Sequence, residues 1–256
     1  MDGYDETTYG DAFADVYDDW YAAISDVDAA TETLLELADG GSVLELGVGT
    51  GRLAVPLATA GRDRGVTVAG LDASQAMLDR LAGRDPERLV ARHLGNMAGP
   101  LPGGPHRLVV VAYNTLFNLT SPAMQASCFR EVAAVLTPGG RFLVEAFVPD
   151  RSSSRSSSQS SSRSTDVSVR SLTTDRVVLS VSRQDPEQQI VEGQFVEFTE
   201  AGGVRLRPWS IRYSSPAELD RMADAAGFDV EHRWASFDRS RFHDDADRHV
   251  TVFRLR

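Results

Sequence analysis

The chain contains no lysine; all 26 of its basic residues are arginine. That absence excludes Schiff-base catalysis by a lysine and the lysine of a phosphate-binding P-loop. There is one cysteine, Cys128, so no intramolecular disulfide framework exists. A lone thiol with no histidine motif beside it reads as a small core residue. Long apolar runs are also missing. Stretches such as Leu108–Ala112 fall far short of the ~20 residues of a membrane span. The first 30 residues carry no Arg or Lys and many Asp, whereas a secretory leader needs a basic start and an apolar block. A cytoplasmic protein is the expectation. Basic residues are few beside 37 Asp and Glu, for a formal charge of −11. This argues against a partner held through its phosphate backbone, so neither nucleic acid nor membrane is an expected partner.

What is present is globular: 256 residues, 42% hydrophobic and 25% charged, enough for one enlarged domain or a domain with an appended piece. Residues 1–30 read as an acidic, aromatic-rich helical lead-in. Tyr9, Phe13, Tyr17, Trp20, Tyr21 and Ile24 recur at spacings of three and four, which puts them on one helical face. Such a face packs onto a core, or forms a lid whose tyrosines touch a ligand; the two are compatible.

From Ser42 to Val148 strands alternate with helices. Strands are expected at Ser42–Leu46, Val66–Leu71, Leu89–His93, Leu108–Tyr113 and Arg141–Val148, with helices over Gly51–Thr59, Ser74–Leu81 and Pro122–Leu136 and a turn at Thr137–Gly140. Near-continuous apolar strands between amphipathic helices imply a parallel sheet covered on both faces. Residues 1–150 thus form a lid and a core. Arg151–Ser164 reads RSSSRSSSQSSSRS and is expected to be a flexible surface loop. Asp166–Leu172, Arg176–Ser182, Ile190–Thr199 and Val204–Tyr213 show period-two patterns split by turn signals. They predict an antiparallel insertion over residues 166–213, serving as a cap over the site or as the interface of a homodimer. Residues 214–256 return to the core with a helix, Pro216–Ala226, and two strands, Asp229–Trp234 and His249–Leu255.

The informative run is Glu45-Leu46-Gly47-Val48-Gly49-Thr50-Gly51-Arg52, a glycine-rich turn between a strand and a helix. Bare backbone turns sharply and lets a ligand approach, and free N–H groups at the helix start favour a polar or anionic group. Asp72 follows at the tip of the second strand, where a carboxylate accepts hydrogen bonds from ribose hydroxyls. The ligand therefore contains a ribose. Arg52 stands where the dinucleotide fingerprint requires Gly or Ala. Glu45 suits a cationic ligand such as S-adenosylmethionine, with its ammonium and sulfonium, and would repel a pyrophosphate.

These residues, with Leu94-Gly95-Asn96-Met97 and Leu136-Thr137-Pro138-Gly139-Gly140, resemble class I S-adenosylmethionine-dependent methyltransferases over about residues 5–150 and, more loosely, the final helix and strands. The resemblance implies an α/β, Rossmann-like, seven-stranded mostly parallel sheet with helices on both faces, strand order 3-2-1-4-5-7-6 and an antiparallel last strand, here His249–Leu255. It also implies S-adenosylmethionine as cofactor and S-adenosylhomocysteine as product. Carried over, Gly47, Gly49 and Gly51 line the methionine and ribose part and Glu45 lies beside the methionine. Asp72 holds the ribose, Ala73 and Met77 flank the adenine, and Asn96 and Met97 stand where the adenine amino group is met. Tyr113 and Asn114 face the sulfonium and the substrate.

The lead-in, the insertion and the segment Asn114–Leu119 are similar to small natural-product methyltransferases, including amino-sugar N-methyltransferases. Some of these place a histidine near the acceptor where this chain has Asn118. Tyr9, Tyr17 and Tyr21 are the lid candidates, and Arg52 is a second candidate for the methionine carboxylate. Methyl transfer from a sulfonium relies mostly on alignment. A base matters chiefly for hydroxyl acceptors. Of five histidines, His93, His232 and His249 read as structural and His106 as solvated. His243, in a loop, is the candidate base, and His243-Asp244-Asp245 is a poor metal set. Catalytic candidates are thus Tyr113, Asn118 and His243. The expected function is methylation of N or O on a small molecule of specialised metabolism, such as antibiotic biosynthesis. A nucleic-acid or protein methyltransferase and a non-catalytic binding protein of this fold remain alternatives.

Overall fold

The computed structural model describes residues 1–21, 26–149, 164–243 and 245–256. Ile24, Asp244 and the Ser/Arg run up to Arg163 lie outside the described residues.

Two sheets organise the chain. The larger contains β1 (Ser42–Leu46), β2 (Thr67–Asp72), β3 (Val90–Leu94), β4 (His106–Val111), β5 (Leu136–Phe147), β10 (Phe228–Trp234) and β11 (Arg248–Leu255). Their order is β3-β2-β1-β4-β5-β11-β10, the arrangement that the family resemblance implies. The first five strands run parallel, and β11 pairs antiparallel with β5. Neighbouring side chains leave a strand on opposite faces. Val43, Val68, Val90 and Leu108 therefore enter one apolar cluster, with α3 (Val27–Ala38), α4 (Ala54–Gly61) and α5 (Gln75–Arg84). Leu44, Leu71, Val109 and Phe142 enter the other, with α6 (Pro122–Val135) and α7 (Pro216–Ala225). Phe129 is fully buried there, edge-on to Phe142 and Phe253, and Cys128 beside it is a free, buried core residue.

The smaller sheet is an antiparallel meander of β6 (Ser164–Leu172), β7 (Arg176–Asp185), β8 (Ile190–Thr199) and β9 (Val204–Arg212). Its inner face lies against the lead-in. Phe195 meets Phe13 and Trp20 edge-on, and the fully buried Arg207 pairs with Asp15 at 2.6 Å and Glu197 at 3.0 Å.

The lead-in differs from a single helix. It comprises α1 (Thr8–Phe13) and α2 (Tyr17–Trp20), and α3 restarts at Asp26, whose carboxylate accepts from Ala29 N. The break is anchored by Asp15, drawn to Arg205 and Arg207, and Asp26 is a strong helix-starting cap. The aromatic face survives: Tyr9 stacks on Phe13 at 4.4 Å, and Tyr17 lies 4.9 Å from Tyr21.

His106 also departs from its reading as solvated. It opens β4, is buried, and bonds Ser42 Oγ at 2.8 Å and the Pro102 carbonyl at 3.0 Å. Its pairing with Leu136 draws Thr137–Gly140 into β5 rather than leaving it as a separate turn. His249 is fully buried and its pKa is depressed to about 3 by that burial and then by Arg233. His232, by contrast, is exposed and stacked on Trp234.

Candidate active site

A cavity of about 340 Å³ opens at the carboxyl ends of the parallel strands. The lead-in contributes Tyr9, Gly10 and Tyr17 to its wall; the first two strand ends contribute Gly47, Gly49, Leu71 and Asp72. Ala73, Met77, Asn96 and Met97 complete one side, and Thr115, Asn118, Leu119, Thr120 and Met124 the other. Such a crevice beyond the carboxyl ends is where open α/β sheets bind ligands.

Asp72 is pre-positioned. Its Oδ2 accepts from Gly49 N at 2.8 Å and its Oδ1 from Ser74 N at 2.9 Å. Each oxygen keeps a further lone pair for a ligand hydroxyl. Burial raises its pKa, against the pull of those amides. Asn96 spends one acceptor site of Oδ1 on Ala98 N at 2.8 Å, so only part of its carbonyl is free for the adenine amino group.

Glu45 is buried on β1, and its pKa is pushed up to about 8 by that burial, against the opposing charge of Arg52. Its carboxylate also accepts from the Ala54 amide at the start of α4, a helix end with orphan N–H groups. Arg52 is near enough that its charge opposes the raised pKa of Tyr17, Glu45 and a second buried carboxyl, Glu145.

The sequence-predicted residues are not all brought together. Tyr9, Tyr17, Gly47, Gly49, Asp72, Ala73, Met77, Asn96, Met97 and Asn118 line the cavity. Tyr21, Glu45, Gly51, Arg52, Tyr113 and Asn114 are not among its lining residues, although Tyr21, Tyr113, Glu45 and Arg52 lie within electrostatic reach of Tyr9 or Tyr17 on the wall. Gly51 serves packing instead of the cleft: a Cβ there would lie 2.9 Å from Leu81 and 3.0 Å from Val55, at φ +80°. Asn114 Oδ1 accepts from Phe147 N at 2.6 Å and so ties β4 to β5. Tyr113 is left-handed at φ 46°; its amide donates to Glu145 at 2.8 Å, and its ring meets Tyr21 at 6.0 Å. His243 is outside the lining; its exposed ring bonds Asp245 at 2.5 Å. Among the described residues no three His, Cys, Asp or Glu side chains form a metal-binding group.

Thr115, Leu119, Thr120 and Met124 of the cavity wall were not named as site residues from the sequence, and three further sets also escaped it. Tyr4, Asp5 and Glu6 reach the cavity from ahead of α1, where no periodicity marks them. Glu145 looked like one more strand residue. Asp11, Asp15 and Asp18 looked like general acidity, yet each holds the lead-in to a different place. Asp11 accepts from Ser74 Oγ at 2.5 Å, Asp15 pairs with Arg205 at 2.7 Å, and Asp18 accepts from Thr50 Oγ1 at 2.6 Å while pairing with Arg84 at 2.8 Å. Gly10 permits this approach, for a Cβ there would lie 2.3 Å from that of Ser74. Their spacing of four and three residues was the available signal.

Residues 43–140 match a family described as a methyltransferase domain. The CcbJ methyltransferase of Streptomyces caelestis is 39% identical, with 98% of this chain and 99% of that one covered and a TM-score of 0.84. The chain belongs to the class I S-adenosylmethionine-dependent methyltransferases, and S-adenosylmethionine is its cofactor. The fold is shared more distantly by CalS10 of Micromonospora echinaspora, an amino pentose methyltransferase, at 21% identity, 94% and 97% coverage and a TM-score of 0.66. It is shared also by the sugar N-methyltransferase KedS8 of Streptoalloteichus, at 21% identity, 98% coverage of each chain and a TM-score of 0.64. No curated protein matches the chain.

Proposed function

We propose that this enzyme methylates a nitrogen of a small molecule of specialised metabolism, of the antibiotic or amino-sugar kind. The observation that carries this reading is the composition of the cavity wall opposite Asp72. It offers Thr115, Asn118, Leu119, Thr120 and Met124, and no histidine among the described lining residues. A neutral amine needs no base to act as nucleophile, whereas a hydroxyl gains about 10²–10⁴-fold from one. Asp5 and Glu6 at the cavity favour the approach of an amine over that of an acid. The amino pentose methyltransferase CalS10 and the sugar N-methyltransferase KedS8, which share the fold, support the same class.

S-adenosylmethionine supplies an electrophilic methyl carried on a sulfonium. In this reading Asp72 holds the ribose hydroxyls, the backbone at Gly47 and Gly49 lies along the sugar and methionine, and Met77, Ala73, Asn96 and Met97 hold the adenine. Glu45 offsets the positive charge of the methionine part, and Arg52 serves its carboxylate. Tyr9, Tyr17 and Tyr21 exclude water. Tyr113 and Asn114 shape the acceptor side, and Asn118 orients the acceptor. Alignment of this kind is worth up to about 7–11 kcal/mol of barrier, enough that no further catalytic group is required. The enzyme is read as cytoplasmic and homodimeric.

The test is transfer of isotope-labelled methyl from S-adenosylmethionine to paired acceptors that differ only in carrying an amine or a hydroxyl. Label on the amines alone is expected, and label on the hydroxyl partners alone would overturn the assignment. A thermal-shift series with S-adenosylmethionine, S-adenosylhomocysteine and NAD checks the ligand separately: the two sulfur nucleosides should stabilise the fold, and stabilisation by NAD alone would refute it.

A further inference from the structure

Where the appended sheet meets the helices of the large one, a polar cluster is buried. Gln125 on α6 is fully buried and has every hydrogen-bonding site of its amide filled. Its Nε2 donates to the Leu119 carbonyl at 3.1 Å and to the Arg212 carbonyl at 2.7 Å. Its Oε1 accepts from Arg212 Nη1 at 2.9 Å and from Ser214 Oγ at 2.8 Å. Arg212, buried at the end of β9, also donates to Ser214 Oγ at 2.7 Å, Gln189 Oε1 at 2.7 Å and Glu218 Oε1 at 2.6 Å. The cluster thus ties α6, the β7–β8 turn, the end of β9 and α7 to one backbone oxygen. That oxygen belongs to Leu119, which lines the cavity, as does Met124 beside Gln125. Leu119 also closes the 3-10 turn Thr115–Asn118, its amide donating to the Leu116 carbonyl at 3.2 Å. Both backbone polar groups of this wall residue are therefore held.

We infer that Gln125 is a positioning residue for the methyl acceptor: it fixes the Leu119 backbone, and with it the wall over residues 115–124, against the appended sheet. This deepens the proposed function and rests on its reading of that wall as the acceptor side. Two observations carry it. The first is the chemistry of the cluster. Gln125 is the polar member of the buried face of α6, beside Cys128, Phe129 and Val132. A buried ion pair such as Arg212–Glu218 can often be exchanged for apolar residues without loss of stability, so the fold alone does not call for one here. What a saturated polar network supplies, and an apolar contact does not, is one defined geometry. The second is place. The two bonds that Gln125 donates run to different structures, the Leu119 carbonyl on the cavity wall and the Arg212 carbonyl at the end of the appended sheet. The side chain is a brace between them. A shift of ~1 Å in a group that positions a reactant can cost about a hundredfold in rate, and a wall made of a short turn gains most from such a brace. The antiparallel insertion then has a task at the site, although its strands do not line the cavity.

Gln125→Met in the full-length protein keeps the length of the side chain and removes all four bonds. Hydrogen exchange reads the wall without any acceptor: amides of residues 115–125 should exchange at least about tenfold faster, while those of β1 and β4 hold. Kinetics with the labelled member of the amine and hydroxyl pairs reads the consequence. The acceptor's kcat/KM should fall at least about tenfold, mostly through KM. The Kd of S-adenosylhomocysteine should change by less than about twofold, because Gly47, Gly49 and Asp72 are untouched. Val252→Ala, a truncation in the apolar cluster on the opposite face of the large sheet, should lower Tm and leave that KM where it was. Should Gln125→Met fail to fold, Gln125→Glu keeps an oxygen for Arg212 and Ser214. At pH 8, where the neighbouring guanidinium keeps it ionised, it lacks the donors to both carbonyls, and the same changes are expected. Unchanged exchange, or acceleration spread over both sheets, would overturn this inference alone. Local acceleration with an unchanged acceptor KM would overturn it together with the acceptor side of the proposed function.

Discussion

The two sheets differ in strand length and in purpose: apart from the twelve-residue β5 the larger uses strands of 5–8 residues, the smaller strands of 9–10. The larger is apolar on both faces and buried by helices, so the polar work falls to the ends of its strands, where Asp72, Glu45 and Glu145 gather. The smaller is apolar on one face and mixed on the other, where Arg207, Glu197 and Trp209 take up the lead-in. A fully covered sheet places chemistry at its edge, while a half-covered one has a whole face left for association or capping. The lead-in is the joint between them, since its aspartates reach both.

That contrast can be broken by substitution. The largest effect is expected at the edge of the large sheet. Asp72→Ala removes the two hydrogen bonds from Gly49 and Ser74 and, in the proposed role, two charge-assisted bonds to the ribose, and should weaken S-adenosylhomocysteine binding about a hundredfold or more. Calorimetry reads this directly, and a loss below fivefold would remove Asp72 from the ribose.

Glu45→Gln comes next, with two signs. The free protein holds this carboxyl at about 8 against 4.5 in the unfolded chain. The stability that it lends is therefore complete below pH 4.5 and disappears as pH rises to 8. The variant should show a flatter dependence of Tm on pH across that window and higher stability at its upper end. It should also bind S-adenosylmethionine about tenfold more weakly. A wild-type profile unchanged by the substitution would contradict the buried-carboxyl argument.

Asp15→Ala tests the joint. Arg207 would keep Glu197 and the Ala12 carbonyl but lose the Asp15 carboxylate while buried, at a cost of about 1–3 kcal/mol. Thermal denaturation should reveal that loss, and cofactor affinity should fall by a few-fold only. If it fell as far as with Asp72→Ala, the division of labour between the sheets would be wrong. The smallest effect is expected for His243→Ala. Its ring is exposed and engaged with Asp245 outside the cavity, so methyl transfer to an amine should change by less than about twofold. A collapse of turnover would reinstate it as the base.

Much of this was legible in the residues. Leu108–Val111 read as a buried parallel strand because nothing polar interrupts it, and Val43, Leu44 and Leu46 did so with Glu45 as the single polar member; all are buried. Gly47, Gly49 and Asp72 were readable because turn, helix start and carboxylate recur at a fixed spacing. The rest turned on contacts between distant positions. Nothing local distinguishes Gly51, packed on Leu81, from Gly49, which opens into the cleft. The Gly/Pro-rich run around His106 suggested solvent, but its bonds to Ser42 and Pro102 are decided by where β1 lies. Residues 1–30 showed one aromatic face, and the break at Asp15 follows from arginines almost 200 positions away.

The position of β11 has a consequence for how the molecule is assembled. It lies between β5 and β10, so β10, made earlier, has no neighbour until the last strand arrives. The outer part of the large sheet therefore cannot close until β11 has been made. The four-strand meander pairs only adjacent segments and can form well before. The strands that carry the crevice, β1 to β4, are made before both.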